Sequence, residues 1–155
     1  MHKLTFPSLL AIGLFITGCA SNPVLPLAKP SKELQAEVIV FRESAFAAGG
    51  VAATVGVGGK AFANLSNDEK VLVLLSAGKH EIHVQARSAE PTRFRVSLVK
   101  GETICLRTSA SPSTYAKVVV PITLMATGYH FFLDKVPCPS DDVLGKYKNV
   151  AVTYQ

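Results

Sequence analysis

No apolar run in this 155-residue chain is long enough to cross a membrane as a helix. Spanning takes about 20 apolar residues. The run at 9–16 is too short and is broken by Gly13, and the run at 118–133 is broken by Pro121, Gly128 and His130. Cysteine is also scarce, with 3 in the chain, but a domain of this length buries about two-thirds of its unfolded surface and needs neither a metal nor a dense disulfide framework to fold. Acidic side chains are the minority, 11 against 16 basic ones, for a formal net charge of +5. In a cytosolic protein that balance would raise nucleic acid as a partner, yet the excess is mild and an ordinary solvated surface accounts for it.

Catalytic signatures are missing as well. There is no Gly-x-Ser-x-Gly elbow, and no pair of carboxylates stands at the ends of neighbouring strands in the manner of a glycosidase. The glycine-rich Gly56-Val57-Gly58-Gly59-Lys60 lacks the Gly that a phosphate loop needs at Thr54 and the hydroxyl it needs at Ala61. His80, Glu81 and His83 do not form His-Glu-x-x-His, and on a strand two imidazoles three residues apart face opposite sides. The reading is therefore an exposed His83, a His80 close to a turn, and a His130 held among Tyr129, Phe131 and Phe132 as a core or edge residue.

What is present is a succession of short strand patterns. Val38-Ile39-Val40-Phe41 is a continuous apolar run and predicts a strand buried on both faces. After a small-residue loop at 45–53, Thr54-Val55-Gly56-Val57 and Ala61-Phe62-Ala63-Asn64-Leu65 flank Gly58-Gly59, a pair suited to a tight hairpin. Val71-Leu72-Val73-Leu74-Leu75 follows as a further strand. Ile82, Val84 and Ala86 then alternate with Glu81, His83 and Gln85, and Phe94, Val96 and Leu98 alternate with Arg93, Arg95 and Ser97, so one face of each strand is buried and one is wet. Residues 103–107, 117–125, 129–134 and 150–154 complete the strands, and Ser140-Asp141-Asp142 supplies an N-cap and first-turn acids for a short helix ending at Lys146 or Lys148. The fold class is mainly β, a single antiparallel sandwich of the immunoglobulin-like kind with a short C-terminal helix.

Ahead of this domain, Ile16-Thr17-Gly18-Cys19 closes the first apolar run, which follows Lys3. The motif resembles the processing site of bacterial lipoproteins: a thiol to carry a diacylglyceryl thioether, preceded by small side chains at the cut. The resemblance implies a signal peptide at 1–18, cleavage between Gly18 and Cys19, and lipidation of Cys19. Pro23, Pro26 and Pro30 keep 19–35 extended as a tether of ~3 Å per residue ahead of the domain at 36–155. Ala20 stands where an Asp would favour inner-membrane retention, so the resemblance implies a lipid anchor in the outer membrane with the domain in the periplasm. Membrane is then a partner through the lipid, and nucleic acid is not. With Cys19 consumed by lipid, Cys105 and Cys138 remain as a pair in an oxidising compartment. A bridge between them would contribute ~3 to 4 kcal/mol in the chain-entropy account; the alternative is two free buried thiols.

The middle of the chain carries a second resemblance. Val38-Ile39-Val40-Phe41-Arg42, Val57-Gly58-Gly59-Lys60, Leu74-Leu75-Ser76-Ala77-Gly78-Lys79-His80-Glu81-Ile82 and Lys100-Gly101-Glu102-Thr103 resemble bacterial lipoproteins with a domain of unknown function, similar to the small β-sandwich modules called PEGA and carboxypeptidase-regulatory-like domains. Gly58 stands where Asp is common in those modules and Ala77 where Pro is common. The resemblance spans 36–108, and it implies no active site and no cofactor. The expectation is a non-catalytic binding or structural module of the envelope. The alternative is an envelope hydrolase or accessory inhibitor, with its site on the loops at 45–50 or 109–115. Arg87, Arg93, Arg95, Lys100 and Arg107 fall on three consecutive predicted strands. Arg93 and Arg95 on one wet face form a cationic strip suited to an anionic envelope polymer or an envelope protein, or else a solvated face that guards a sheet edge.

Overall fold

Alternation of apolar and polar side chains folds most of the described chain into strands. The computed structural model describes residues 22–45, 48–87, 89–111 and 129–155. The elements are β1 (Gln35–Arg42), β2 (Ala53–Val57), β3 (Lys60–Leu65), β4 (Glu69–Ser76), β5 (Gly78–Gln85), β6 (Thr92–Leu98), β7 (Thr103–Ala110), β8 (Phe131–Val136), α1 (Asp141–Leu144) and β9 (Lys148–Val150). They form a five-stranded sheet of order β8-β7-β1-β4-β9 and a four-stranded sheet of order β3-β2-β5-β6, the two layers of a β-sandwich. Val38, Val40, Val73, Ile104 and Leu106 of the first sheet share one buried cluster with Val55, Leu65, Ile82, Val84 and Leu98 of the second. Among the described residues no helix is long and apolar enough to cross a membrane.

Two pairings depart from the purely antiparallel expectation: β1 with β7 and β4 with β9 are parallel. Chain routing is the reason. β7 re-enters the first sheet only after the β5–β6 hairpin has been laid down in the second, and β9 arrives after α1 has crossed the sheet face. Parallel neighbours require such crossovers. The Gly58-Gly59 hairpin forms as expected, with φ of +55° and +80° at the two glycines. Phe62 has no cross-strand partner where the β2–β3 register slips, and this bulge lets both Phe62 and Ala63 enter the core.

β1 is covered on both faces, by two different agents. Its inward side chains meet the second sheet, while Phe41 on the other side lies in a small cluster with Cys105 and Leu144, edge to face with Tyr147 at 5.3 Å between centroids. The Cys105–Cys138 disulfide forms, with Cα atoms 5.0 Å apart, and ties β7 to the segment after β8 beside this cluster. The helix that caps it is shorter than expected. It ends at Leu144, with Gly145 N–H donating to Asp141 O at 2.7 Å, and Ser140 makes no side-chain cap bond, so the first-turn acids Asp141 and Asp142 carry the N-terminal complementarity instead. The last ladder strand lies earlier than expected, at Lys148–Val150, so that of 150–154 only Val150 joins it, and Tyr154 makes an isolated bridge with Leu27. The strand expected at 117–125 lies outside the described residues.

Arg42 closes the end of β1. Its side chain is buried, with Nη1 donating to the carbonyls of Val51 (2.6 Å) and Leu65 (2.9 Å) and Nη2 to that of Ala48 (2.6 Å). The guanidinium also lies over the Phe131 ring, 4.8 Å from its centroid. A planar fork of donors suits three carbonyls arriving from different directions, and it is what packs Ala48 and Val51 of the 45–51 loop onto the sandwich.

The segment ahead of β1 corrects the expectation of a free tether. It is extended, as its prolines require, but it is docked. Asn22 Nδ2 donates to Thr54 Oγ1 (3.1 Å) and the Asn22 carbonyl accepts from Asn64 Nδ2 (2.8 Å). Leu25 N–H donates to Ala61 O (2.8 Å), Leu27 N–H to Thr153 O (2.9 Å), and Gln155 N–H to Leu27 O (2.9 Å). Leu27 is 5% exposed and belongs to the main core. Residues 22–29 thus run along the β3 edge and onto the C-terminal tail, strapping that side of the sandwich. Replacing Leu27 with Ala is expected to lower urea-unfolding stability by about 2–4 kcal/mol, as for a buried leucine. Val24→Ala, at an exposed position of the same strap, should stay within about 0.5 kcal/mol. Equal, negligible effects at both positions would mean the strap is undocked.

Candidate functional site

The outer face of the four-stranded sheet gathers most of the chemistry that the sequence singles out. Because Val55, Ile82, Val84, Val96 and Leu98 point inward, alternation turns Thr54 and Gly56 of β2, Glu81, His83 and Gln85 of β5, and Arg93, Arg95 and Ser97 of β6 outward. Register then decides neighbours: Arg95 lies opposite Glu81, Arg93 opposite His83, and His83 opposite Gly56. Arg93 Nη1 donates to Glu81 Oε1 at 2.8 Å, and Arg95 Nε approaches Glu81 Oε2 at 3.5 Å. One carboxylate is shared by two guanidiniums. The Arg93 hydrogen bond, with charge from Arg93 and Arg95, holds the Glu81 carboxyl below the usual carboxylate range. Since both arginines are well exposed, these pairs contribute little stability. Their consequence is geometric, fixing a cationic strip along β6.

Arg93 and Arg95 are therefore brought together as the alternation predicts. The other basic residues named with them are not. Arg87 follows β5 and Lys100 lies in the turn after β6, while Arg107 belongs to the opposite sheet, 3.9 Å from both Glu43 and Asp134. Lys79 joins the strip from β5, opposite Ser97. A shallow recess of about 560 Å³ between Lys79, His80, Glu81, Arg95, Val96 and Ser97 opens there. His80 lies at its rim, with Nε2 donating to Ser76 O at 2.7 Å.

His83 is not exposed as expected; it is 8% exposed. Gly56 is the reason. A Cβ at position 56 would collide with Cε1 and Nε2 of the imidazole and with the Lys60 carbonyl, so the bare glycine provides the slot in which the ring lies. The sequence signal was a lone glycine inside a strand pattern, which marks close approach. Burial, followed by the Arg93 charge, lowers the His83 pKa against a smaller opposing effect of Glu81. The ring is neutral at neutral pH. This arrangement holds a carboxylate already neutralised by arginine and an imidazole pressed onto backbone; what it offers chemically is attraction for anions.

The opposite sheet carries a different recess, about 420 Å³, lined by Ile39, Leu72, Leu74, Val150, Val152 and Tyr154 with Lys70 at its edge. Its floor is apolar, and the Tyr154 hydroxyl accepts the Leu74 N–H at 2.7 Å. Gly18 and Cys19 lie outside the described residues, as do parts of both loops weighed for a hydrolase site. Among the described residues no three His, Cys, Asp or Glu side chains converge as metal ligands. The strap was not anticipated from sequence, although Val24-Leu25-Pro26-Leu27 is more apolar than a solvated linker requires. Neither the protein-family models nor the curated proteins compared with this chain give a match.

His83 generates a pH prediction. Its folded-state pKa lies below that of the unfolded imidazole, near 6.5, so the unfolded chain takes up the proton first. The stability from neutral His83 is present above that value and is lost as pH falls through it towards the folded pKa. Wild-type protein is expected to lose more urea-unfolding stability between about pH 7.5 and about pH 5.5 than His83→Gln does. Equal losses would contradict burial of the ring against Gly56.

Proposed function

We propose that this protein is a lipid-anchored lipoprotein of the bacterial cell envelope, acylated at Cys19 after cleavage behind Gly18. In this reading its β-sandwich is a non-catalytic binding or structural module held in the periplasm at the outer membrane. The observation that carries the reading is the juxtaposition in sequence of Ile16-Thr17-Gly18-Cys19 with a short apolar run behind Lys3. Two structural features support it. The Cys105–Cys138 bridge suits an oxidising compartment, and the two-sheet sandwich is the architecture expected of PEGA-like modules. The cationic strip at Arg93 and Arg95 is the surface through which an anionic envelope component would be met.

Replacing Cys19 with Ser is the direct test. The expected outcome is loss of the acyl mass at the N-terminus, together with either release of the protein from the membrane fraction or accumulation of an uncleaved form. Unchanged outer-membrane fractionation of Cys19→Ser would contradict the assignment.

A further inference from the structure

The strap and the cationic strip, taken together, orient the domain. We propose that the outer face of the four-stranded sheet, with Lys79, Arg93 and Arg95, lies against anionic phospholipid headgroups of the membrane that holds the protein. This rests on the lipoprotein reading. Cys19 precedes Asn22 by three residues, so their Cα atoms are at most about 11 Å apart. Asn22 is itself fixed on that outer face through Thr54 and Asn64, and Thr54 Oγ1 in turn donates to Asn64 Oδ1 at 2.6 Å. An acyl anchor at Cys19 therefore limits the spacer between bilayer and domain to about 11 Å of chain, and Asn22, where that spacer ends, sits on the face that bears the strip.

Sheet geometry places the cations within reach. Arg93 lies two strands across from Thr54 and two residues along, through the pairings of His83 with Gly56 and with Arg93, which is about 12 Å at ordinary strand spacing. That separation is about one and a half Debye lengths in physiological salt, so the cations act on headgroups that lie directly against this face. On this face Lys79, Arg93 and Arg95 are set against the single carboxylate of Glu81, leaving a cationic excess where lipid phosphates would stand. The strap also exposes Val24 and Leu25, at 48% and 52%, side chains suited to the headgroup boundary. The opposite sheet face, with its apolar recess, points away from the bilayer in this arrangement and stays accessible from the periplasm.

The test uses the acylated protein in vesicles of phosphatidylglycerol and phosphatidylethanolamine, with a fluorophore on Ser97→Cys or, on the opposite sheet, on Leu72→Cys. With Cys19 acylated and Cys105 bonded to Cys138, the introduced thiol takes the label. A quencher attached to the lipid headgroup should act on position 97 about threefold more strongly than on position 72, and the difference should collapse in phosphatidylcholine vesicles or when Arg93→Glu and Arg95→Glu are combined. Equal quenching at both positions in anionic vesicles overturns the proposal and returns the strip to a soluble anionic polymer or protein. The N-terminal mass is read on the same sample. Absence of the acyl group overturns the lipoprotein reading itself, and the orientation with it, whereas acylated protein with equal quenching overturns the orientation alone.

Discussion

Leu27 is buried in the core that the two sheets share, on a side that the strands alone leave partly open. On the side bounded by β3 in one sheet and by β4 and β9 in the other, β9 pairs with β4 over only three positions. The remaining length of that side is closed by residues 22–29 and 153–155, hydrogen-bonded to each other, with the Leu27 side chain filling the gap between layers. Several other features depend on this closure. Tyr154 is held where its hydroxyl can cap the β4 backbone at Leu74, and Asn22 is held where it can bond Thr54 and Asn64. An edge left uncovered would expose unpaired backbone and apolar core.

The same closure decides how function follows from fold. A sandwich on a long flexible tether could present any face to any partner, and a basic patch on it would be ordinary surface chemistry. Docking the chain from Asn22 onwards removes that freedom. The acyl group proposed at Cys19 and the Arg93–Glu81–Arg95 cluster then become parts of one surface, and the apolar recess around Leu72 and Tyr154 becomes the opposite one. Arg42 and the Cys105–Cys138 bridge act at a different level. They hold Ala48 and Val51 against the end of β1 and tie β7 to the segment after β8, without contributing to the cationic face.

Local rules made much of this visible in the sequence. Alternation at Glu81–Gln85 and Arg93–Ser97 gave the correct outward set, and the Gly58-Gly59 pair gave the hairpin, because period-2 patterns and positive φ are properties of a few adjacent residues. Counting cysteines gave the disulfide partners. What stayed hidden depended on contacts distant in sequence. The parallel entry of β7 beside β1 is a matter of chain routing. His83 reads as a wet position until Gly56 is placed opposite it, and Leu27 reads as linker until the C-terminal tail, more than a hundred residues later, is laid beside it. Prolines at 23, 26 and 30 correctly signalled an extended chain, but extension is equally compatible with solvent and with a sheet edge.

Amide hydrogen exchange at Leu27 and Gln155 tests the central claim most directly, since these two groups donate the two shortest of the three backbone bonds that fasten the strap to the tail. If residues 22–29 are part of the sandwich, both amides should exchange within about tenfold of the slow amides of β1, opening only when the core opens. Exchange at the rate of an unstructured chain, with β1 still protected, would show a free tether and would contradict both the closure of the sandwich by Leu27 and the membrane-facing orientation built on it.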